Sequence, residues 1–597
     1  MTFFIIIFLV ISLIVIWNIF GYSGESRTYI IENEVEYKRA VDAFNDLYKG
    51  ECYVSFSLDE QWRIKYKHLD DKQKKCSTYF LPKKIRELVN DFKICFNTDE
   101  NVRKDFNNEF VEKEKILNKD SFDSLLEYSL NDQQRDAILH DEDNSLIIAG
   151  AGTGKTTAIM GKIGYLLEKG LATEEEILLI AFGKDAAIDM RKKWSKLKLK
   201  KNKINDVKIK TFHALGYDII GEIEGDKHML AFGGPPNSEK EAKEFLTNKL
   251  YDKDLDKSIR VLVASFFLYH LFPEPEVESF ATLDEYISYV KSIKLITFQG
   301  EIVKSYEELQ IANFLYLNNI KYAYEKVFDE NIKNAKFTAY KPDFYLTDYG
   351  ITIEHFGIDE KGRVPKYFSS ENAIDASAKY RAKMDYARKI HSEYGRVLIE
   401  TYSYESKGDS LLPKLNEKLK NNGVVMKQRS LEDILSKIEV SKTFQPFINL
   451  MYTFIVLAKS NDVSADFLKK ATGKNASKRV KTFIEIFGYL FNEYESYLKK
   501  QGEIDFSDMI NLAKEHVLSD KYKHRYKYIL VDEFQDMSIG RYKFLKALIG
   551  KSGETKLFCV GDDWQSIYRF SGSDLSITTT FSKYFGYTHK AQLELTH

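Results

Sequence analysis

The first apolar block, Phe3 to Phe20 (FFIIIFLVISLIVIWNIF), carries no charge. As a helix rising about 1.5 Å per residue it would span about 27 Å, close to the thickness of a bilayer core. No Lys or Arg precedes it, no small-residue cleavage site follows, and the first basic residue is Arg27. This pattern predicts an uncleaved transmembrane helix over residues 1–22, with the membrane as a partner and the bulk of the chain on its cytoplasmic face. From Tyr29 to Asp120, strand-like stretches such as CYVSFSL mix with charged helical ones such as PKKIRELVNDF. They predict a domain over 23–120 in which no motif of known chemistry stands out.

A change arrives at Leu130. LNDQQRDAILHDEDNSLIIAGAGTGKTTAIMGKIGYLLEKG reads as a helix, a short apolar strand, a Gly-rich loop and a second helix. EILLIAF, and later YKYILVDEFQD and TKLFCVGDDWQ, are further apolar strands, the last two followed at once by acidic or amide residues. That is the pattern of a buried parallel sheet whose site lies at the carboxyl ends of its strands. The predicted fold class is therefore α/β, with one sheet domain in two halves, 121–220 and 501–597. A mostly helical insertion over 221–500 separates them, and a strand-rich island near Lys341 to Ile358 interrupts its charged helical sequence.

Composition adds bounds. The 597 residues are 44% hydrophobic, enough for several cores, and the net charge of −1 means that any nucleic-acid surface must be a local patch. Arg191 to Lys203, RKKWSKLKLKKNK, is one such patch and could track phosphates. The cysteines, Cys52, Cys76, Cys95 and Cys559, lack metal-ligand spacing and read as reduced thiols.

The chemistry concentrates after two strands. In Ala149, Gly150, Ala151, Gly152, Thr153, Gly154, Lys155 and Thr156 the small residues let backbone N–H groups close around phosphate oxygens. Lys155 supplies charge for the β and γ phosphates, Thr156 can hold Mg²⁺, and Ala149 stands where the usual pattern has its first Gly. In VDEFQD, Asp532 is placed to bind Mg²⁺ and Glu533 to polarise an attacking water. Gln565 beyond the next strand can sense the γ phosphate, and Trp564, Tyr568 and Phe570 offer ring faces for stacked bases.

Taken with AGAGTGKTT, IAFGKDAAIDM, TFHALG, IDFSDMI and VGDDWQSIYRFSGSD, these stretches resemble the UvrD/Rep branch of superfamily 1 DNA helicases. Trp564 points toward its helicase IV members. The resemblance implies a P-loop RecA-like sheet domain, ATP and Mg²⁺ as cofactors, and single- and double-stranded DNA as partners. It also implies that Gln134 reads adenine, that the loop residues through Thr157 hold the nucleotide, and that Phe182, Thr211, Phe212 and His213 touch a single strand. Relatives carry an Arg directly after the strand resembling LELT, then a second RecA-like domain. The expectation is thus that AQLELTH is the edge of a fragment of a 3′ to 5′ helicase, one that binds Mg-ATP and single-stranded DNA without unwinding.

The island, with the helix before it, is similar to the PD-(D/E)xK (restriction-endonuclease-like) nuclease fold over about 300–405. Pro342–Asp343 would be its first pair, Glu354 its second acid and Glu308 a third on the leading helix. Phe356 stands where that pattern has its Lys; Lys361 or Lys379 could substitute. Two other functions therefore fit the same residues: a metal-dependent nuclease module on an inactive nucleotidase, and a non-catalytic membrane-bound DNA-binding remnant.

Overall fold

The computed structural model describes residues 25–76, 78–126, 129–150, 152–197, 199, 206–225, 228–252, 256–273, 280–328, 340–368, 373–406, 410–550, 555–562 and 572–594. Ten strands position the sites: β1 (Asn144–Ala149), β2 (Ile177–Ala181), β3 (Lys208–Thr211), β4 (Tyr322–Tyr324), β5 (Phe344–Leu346), β6 (Ile351–Phe356), β7 (Leu398–Tyr402), β8 (Tyr528–Val531), β9 (Lys556–Gly561) and β10 (His589–Leu593). The chain forms two compact units. One holds residues up to 229 with 459–462 and 504–597, and the other holds 230–458 and 463–503.

In the first unit six strands form one sheet in the order β10-β1-β9-β8-β2-β3. Every pairing in it is parallel. Side chains alternate between two covered faces, which is why the strands read as near-continuous apolar runs. Ile147, Leu179, Leu530 and Val560 pack on one face with the helices Lys155–Lys169 and Lys184–Lys196. Leu146, Ile180, Ile529 and Cys559 pack on the other with Phe212–Glu224, Phe506–Leu518 and Ile539–Gly550. Phe212–Glu224 and Phe506–Leu518 flank the insertion in sequence and lie against each other. A Cβ on Gly216 would stand 2.4 Å from the Met509 carbonyl oxygen, so this approach requires glycine.

Residues 25–124 of the same unit are helical around a core of Tyr37, Trp62, Val89 and Phe92. CYVSFSL is not a strand. The Ser55 side chain accepts from Leu58 N–H and starts the helix Phe56–Gln73, a capping signal that overrides the alternation. A buried ion pair, Arg103 to Glu142 at 2.8 Å, and a stack of Phe56 on Tyr587 at 4.8 Å hold these helices to the sheet.

The second unit has a helical core around Phe266, Phe447 and Phe487. It also carries a four-stranded sheet in the order β4-β5-β6-β7. The first two pairings are antiparallel and β6–β7 is parallel.

One part of the predicted fold class is corrected. Among the described residues no helix is long and apolar enough to cross a membrane. Even Lys478–Gln501, at 24 residues, has lysines and glutamates around its buried stripe. Phe3–Phe20, where the transmembrane helix was expected, lies outside the described residues. The fold is α/β with a parallel sheet.

Candidate functional site

Parallel strands put all their carboxyl ends on one edge, and the register aligns them: Ile148 with Gly561, and Val531 with both Cys559 and Ile180. Along that edge emerge the loop after β1, Phe182 after β2, His213 after β3, Asp532–Glu533 after β8 and Asp562 after β9. Residues far apart in the chain therefore meet in one place.

The loop between β1 and the helix Lys155–Lys169 turns through positive φ at Gly152 (+79°) and Gly154 (+88°). Gly154 is doubly constrained, since a Cβ there would also stand 2.3 Å from the Gln134 amide nitrogen. Thr153 folds back, its hydroxyl donating to the Gly150 carbonyl at 2.9 Å. Gln134 is fully buried. Its Oε1 accepts from Asn131 N–H at 3.0 Å and its Nε2 donates to the Thr153 carbonyl at 3.3 Å. In this structure Gln134 braces the phosphate loop with both ends of its amide. Ala149 ends β1 in the core, while Thr156 and Thr157 are half-buried in the first helical turn. Ala151 lies outside the described residues.

Opposite the loop, Lys155 Nζ lies 2.9 Å from Glu533 Oε2. Gln535 Nε2 also donates to Glu533 Oε2, at 2.7 Å, and Gln535 Oε1 accepts from Asp562 N–H at 2.9 Å. One buried amide thus ties the ends of β8 and β9 together. Glu533 itself sits in the left-handed region at φ +46°, a strained backbone for a non-glycine residue of the kind that clusters at working sites. Asp532 is 6% exposed, and its Oδ1 has no hydrogen-bond partner. Burial, reinforced by the Glu533 charge, pushes its carboxyl up to about 6, and the same two causes bring Asp536 to about 6. A buried carboxylate oxygen without a partner, at the same strand edge as the glycine loop, fits a hard cation that Thr156 and Asp532 would hold. Mg²⁺ there would supply neutralising charge to the phosphates.

On the same edge, the Arg541 guanidinium lies 4.5 Å from the centre of the Phe182 ring and donates to the Asp536 carbonyl at 3.2 Å. Burial lowers Arg541 to about 10. His213 stands edge-on to Phe506 at 5.2 Å, and burial, with Arg541 adding repulsion, lowers its imidazole to about 4, so it is neutral at pH 7. Thr211 caps the helix Phe212–Glu224, its hydroxyl oxygen accepting from Ala214 N–H. Phe212 requires a correction: at 3% exposure its ring belongs to the sheet core and offers no face to DNA. Trp564, Gln565, Tyr568 and Phe570 lie outside the described residues. Gln535 and Arg541 were not singled out from sequence. Gln535 lies inside VDEFQD, but nothing in the local pattern marks Arg541.

The carboxylates of the second unit do come together. Asp343 accepts from His355 N–H at 2.7 Å, and Asp343 and Glu354 share a hydrogen bond. Tyr340 donates to Glu354, and Tyr324 donates to Glu308 at 2.6 Å. Burial raises all three acids, with Asp343 adding to the effect on Glu308, which reaches about 7. Among the described residues no group of three or more His, Cys, Asp or Glu side chains is arranged to hold a metal ion. These acids are engaged by tyrosines and by each other. Phe356 is buried in its own small cluster. Lys383 is a lysine whose charge bears on both Asp343 and Glu354. It lies on the helix Ala373–Glu393 between Tyr380, whose hydroxyl accepts from Gly357 N–H, and Tyr386, which meets the Tyr340 ring edge-on.

The sheet, the glycine loop at its edge and the acids after β8 define an α/β domain of the P-loop type. Comparison with known proteins narrows the class, because the family model of the UvrD/REP helicase N-terminal domain matches residues 130–586, and the chain belongs to that family. It is 40% identical to DNA helicase IV of Escherichia coli over 121 residues, 20% of this chain and 17% of the relative. With DNA helicase II of Haemophilus influenzae it shares 34% identity over 101 residues, 16% of this chain and 14% of the relative. It is 29% identical to the ATP-dependent DNA helicase Rep of Buchnera aphidicola over 162 residues, 26% of this chain and 23% of the relative. In each case the matched stretch spans less than a quarter of the relative's own length.

Proposed function

We infer that the carboxyl edge of the parallel sheet binds Mg-ATP and a single DNA strand, and that the chain works in ATP-driven 3′ to 5′ movement along DNA. The observation that carries this is the buried, unpartnered Asp532 Oδ1 beside the Lys155–Glu533 pair at a phosphate-shaped loop. Lys155 leaves Glu533 for the phosphates as nucleotide enters. Glu533 is then held by Gln535 alone and is free to orient a water. The link to DNA runs from Glu533 through the 534–536 turn to Arg541, which packs on Phe182. Membership of the UvrD/REP family supports the DNA and the ATP, and the resemblance to 3′ to 5′ helicases supports the direction.

The test is ATP hydrolysis by the full chain with and without a single-stranded oligonucleotide. We expect stimulation by DNA, loss of hydrolysis in Lys155→Ala, and a blunted response to DNA in Phe182→Ala. Displacement of streptavidin from 3′- or 5′-biotinylated strands reads direction. Hydrolysis indifferent to DNA in the parent chain would overturn the coupling.

A further inference from the structure

A cavity of about 820 Å³ opens at the opposite edge of the same sheet, where β2, β3 and β8 begin. It lies beside Glu175 before β2, Lys208 at the start of β3 and Tyr526 before β8. Along β3 its lining runs from Val207 to Lys210, whose register partner Ile180 lies two residues before Phe182, so the cavity follows the outer side of the edge strand. Its wall gathers cations from three separate segments: Arg191 from the helix Lys184–Lys196, Lys208 and Lys210 from β3, and Lys523 and Arg525 from the loop before β8. Five cations face two acids, Glu175 and Asp206, in a chain whose net charge is −1. Asp206 accepts from the Trp194 indole at 3.0 Å.

Two plainer explanations cover only part of this. Basic side chains on an edge strand block unwanted pairing, which accounts for Lys208 and Lys210. Local pairing accounts for Lys210, 2.9 Å from Asp218. Neither explains Lys523 and Arg525, which are exposed on a different segment and have no carboxylate partner among the described residues. The aromatic residues of the cavity decide which part of a nucleic acid it suits. Trp194, Tyr522 and Tyr526 are 3%, 6% and 7% exposed, so their rings form a floor and present no stacking platform. Exposed cations over buried rings match a phosphate backbone and not bases.

We propose that this cavity is a second DNA contact that grips the phosphodiester backbone without reading sequence, along the outer side of the edge strand β3. Of the basic run that starts at Arg191, Arg191 itself lines this site, anchored by its bond to the Ile209 carbonyl at 2.7 Å. The proposal rests on the reading that the chain binds DNA.

The test is fluorescence anisotropy with a labelled 40-nucleotide single strand, titrated at several salt concentrations, using the full chain, Lys523→Glu/Arg525→Glu and Phe182→Ala. Each phosphate contact contributes roughly 0.7 to the slope of log affinity against log salt for single strands. The charge-reversed variant is expected to lose about 1.4 of that slope with an unchanged melting temperature, whereas Phe182→Ala weakens binding at a constant slope. A charge-reversed variant with the parent's slope and affinity overturns the second contact, while weakening in Phe182→Ala leaves the strand-binding edge standing. A parent chain that binds no DNA overturns both. Loss of binding to polyglutamate with an intact DNA slope would assign the cavity to an acidic polypeptide and overturn the DNA contact.

Discussion

Asp532 should be a residue that the fold tolerates at a cost. Its carboxyl is buried, one oxygen has no partner, and burial with the neighbouring Glu533 charge moves its titration from 3.8 to about 6. A carboxyl whose folded value lies above its unfolded one binds its proton more tightly in the fold. Stability is therefore greatest below about pH 4 and is lost as pH rises through the window from about 4 to about 6. At roughly 1.36 kcal/mol per unit, the loss above that window is about 3 kcal/mol. Asp532→Asn removes the charge while keeping the shape. We expect the variant to be more stable than the parent by up to about 3 kcal/mol at pH 7.5, with the gap shrinking to about 1 kcal/mol at pH 4.5. Urea unfolding of both chains at the two pH values, without nucleotide, measures it. The parent should gain stability from Mg-ADP and the variant should not. A variant less stable than the parent at pH 7.5, or a gap that does not change with pH, would refute the account.

Three other outcomes follow from the geometry. Glu533→Gln should bind nucleotide as the parent does while hydrolysis falls by about 10²- to 10⁴-fold, read by nucleotide titration beside steady-state turnover. Gly216→Ala places a Cβ 2.4 Å from the Met509 carbonyl oxygen and should cost about 1–3 kcal/mol in urea unfolding, with no change expected if the two helices part freely. Glu308, raised by burial to about 7, loses stability for the parent as pH rises from about 4.5 to 7. Glu308→Gln should therefore stabilise at pH 8 and have little effect at pH 5, as thermal melts at the two values will show.

The sequence by itself determined the elements and much of the chemistry. A Gly-rich loop between an apolar strand and a helix, and acids directly after a strand, are patterns written within a dozen residues, where backbone geometry and phosphate recognition are local. The order helix, strand, hairpin, helix, strand in the second unit was partly legible for the same reason. CYVSFSL departs from its strand-like pattern because a single cap at Ser55 outweighs alternation. What only the tertiary structure decided is which side chains meet. Packing between distant segments brought Lys155 to Glu533, set Arg541 on Phe182, turned Phe212 into the core and brought the charge of Lys383 to bear on Asp343 and Glu354. It also gathered Arg191, Lys208, Lys523 and Arg525 around one cavity. A residue's type and period show how its own segment folds. Its partner depends on sheet order and helix packing, which no local pattern encodes.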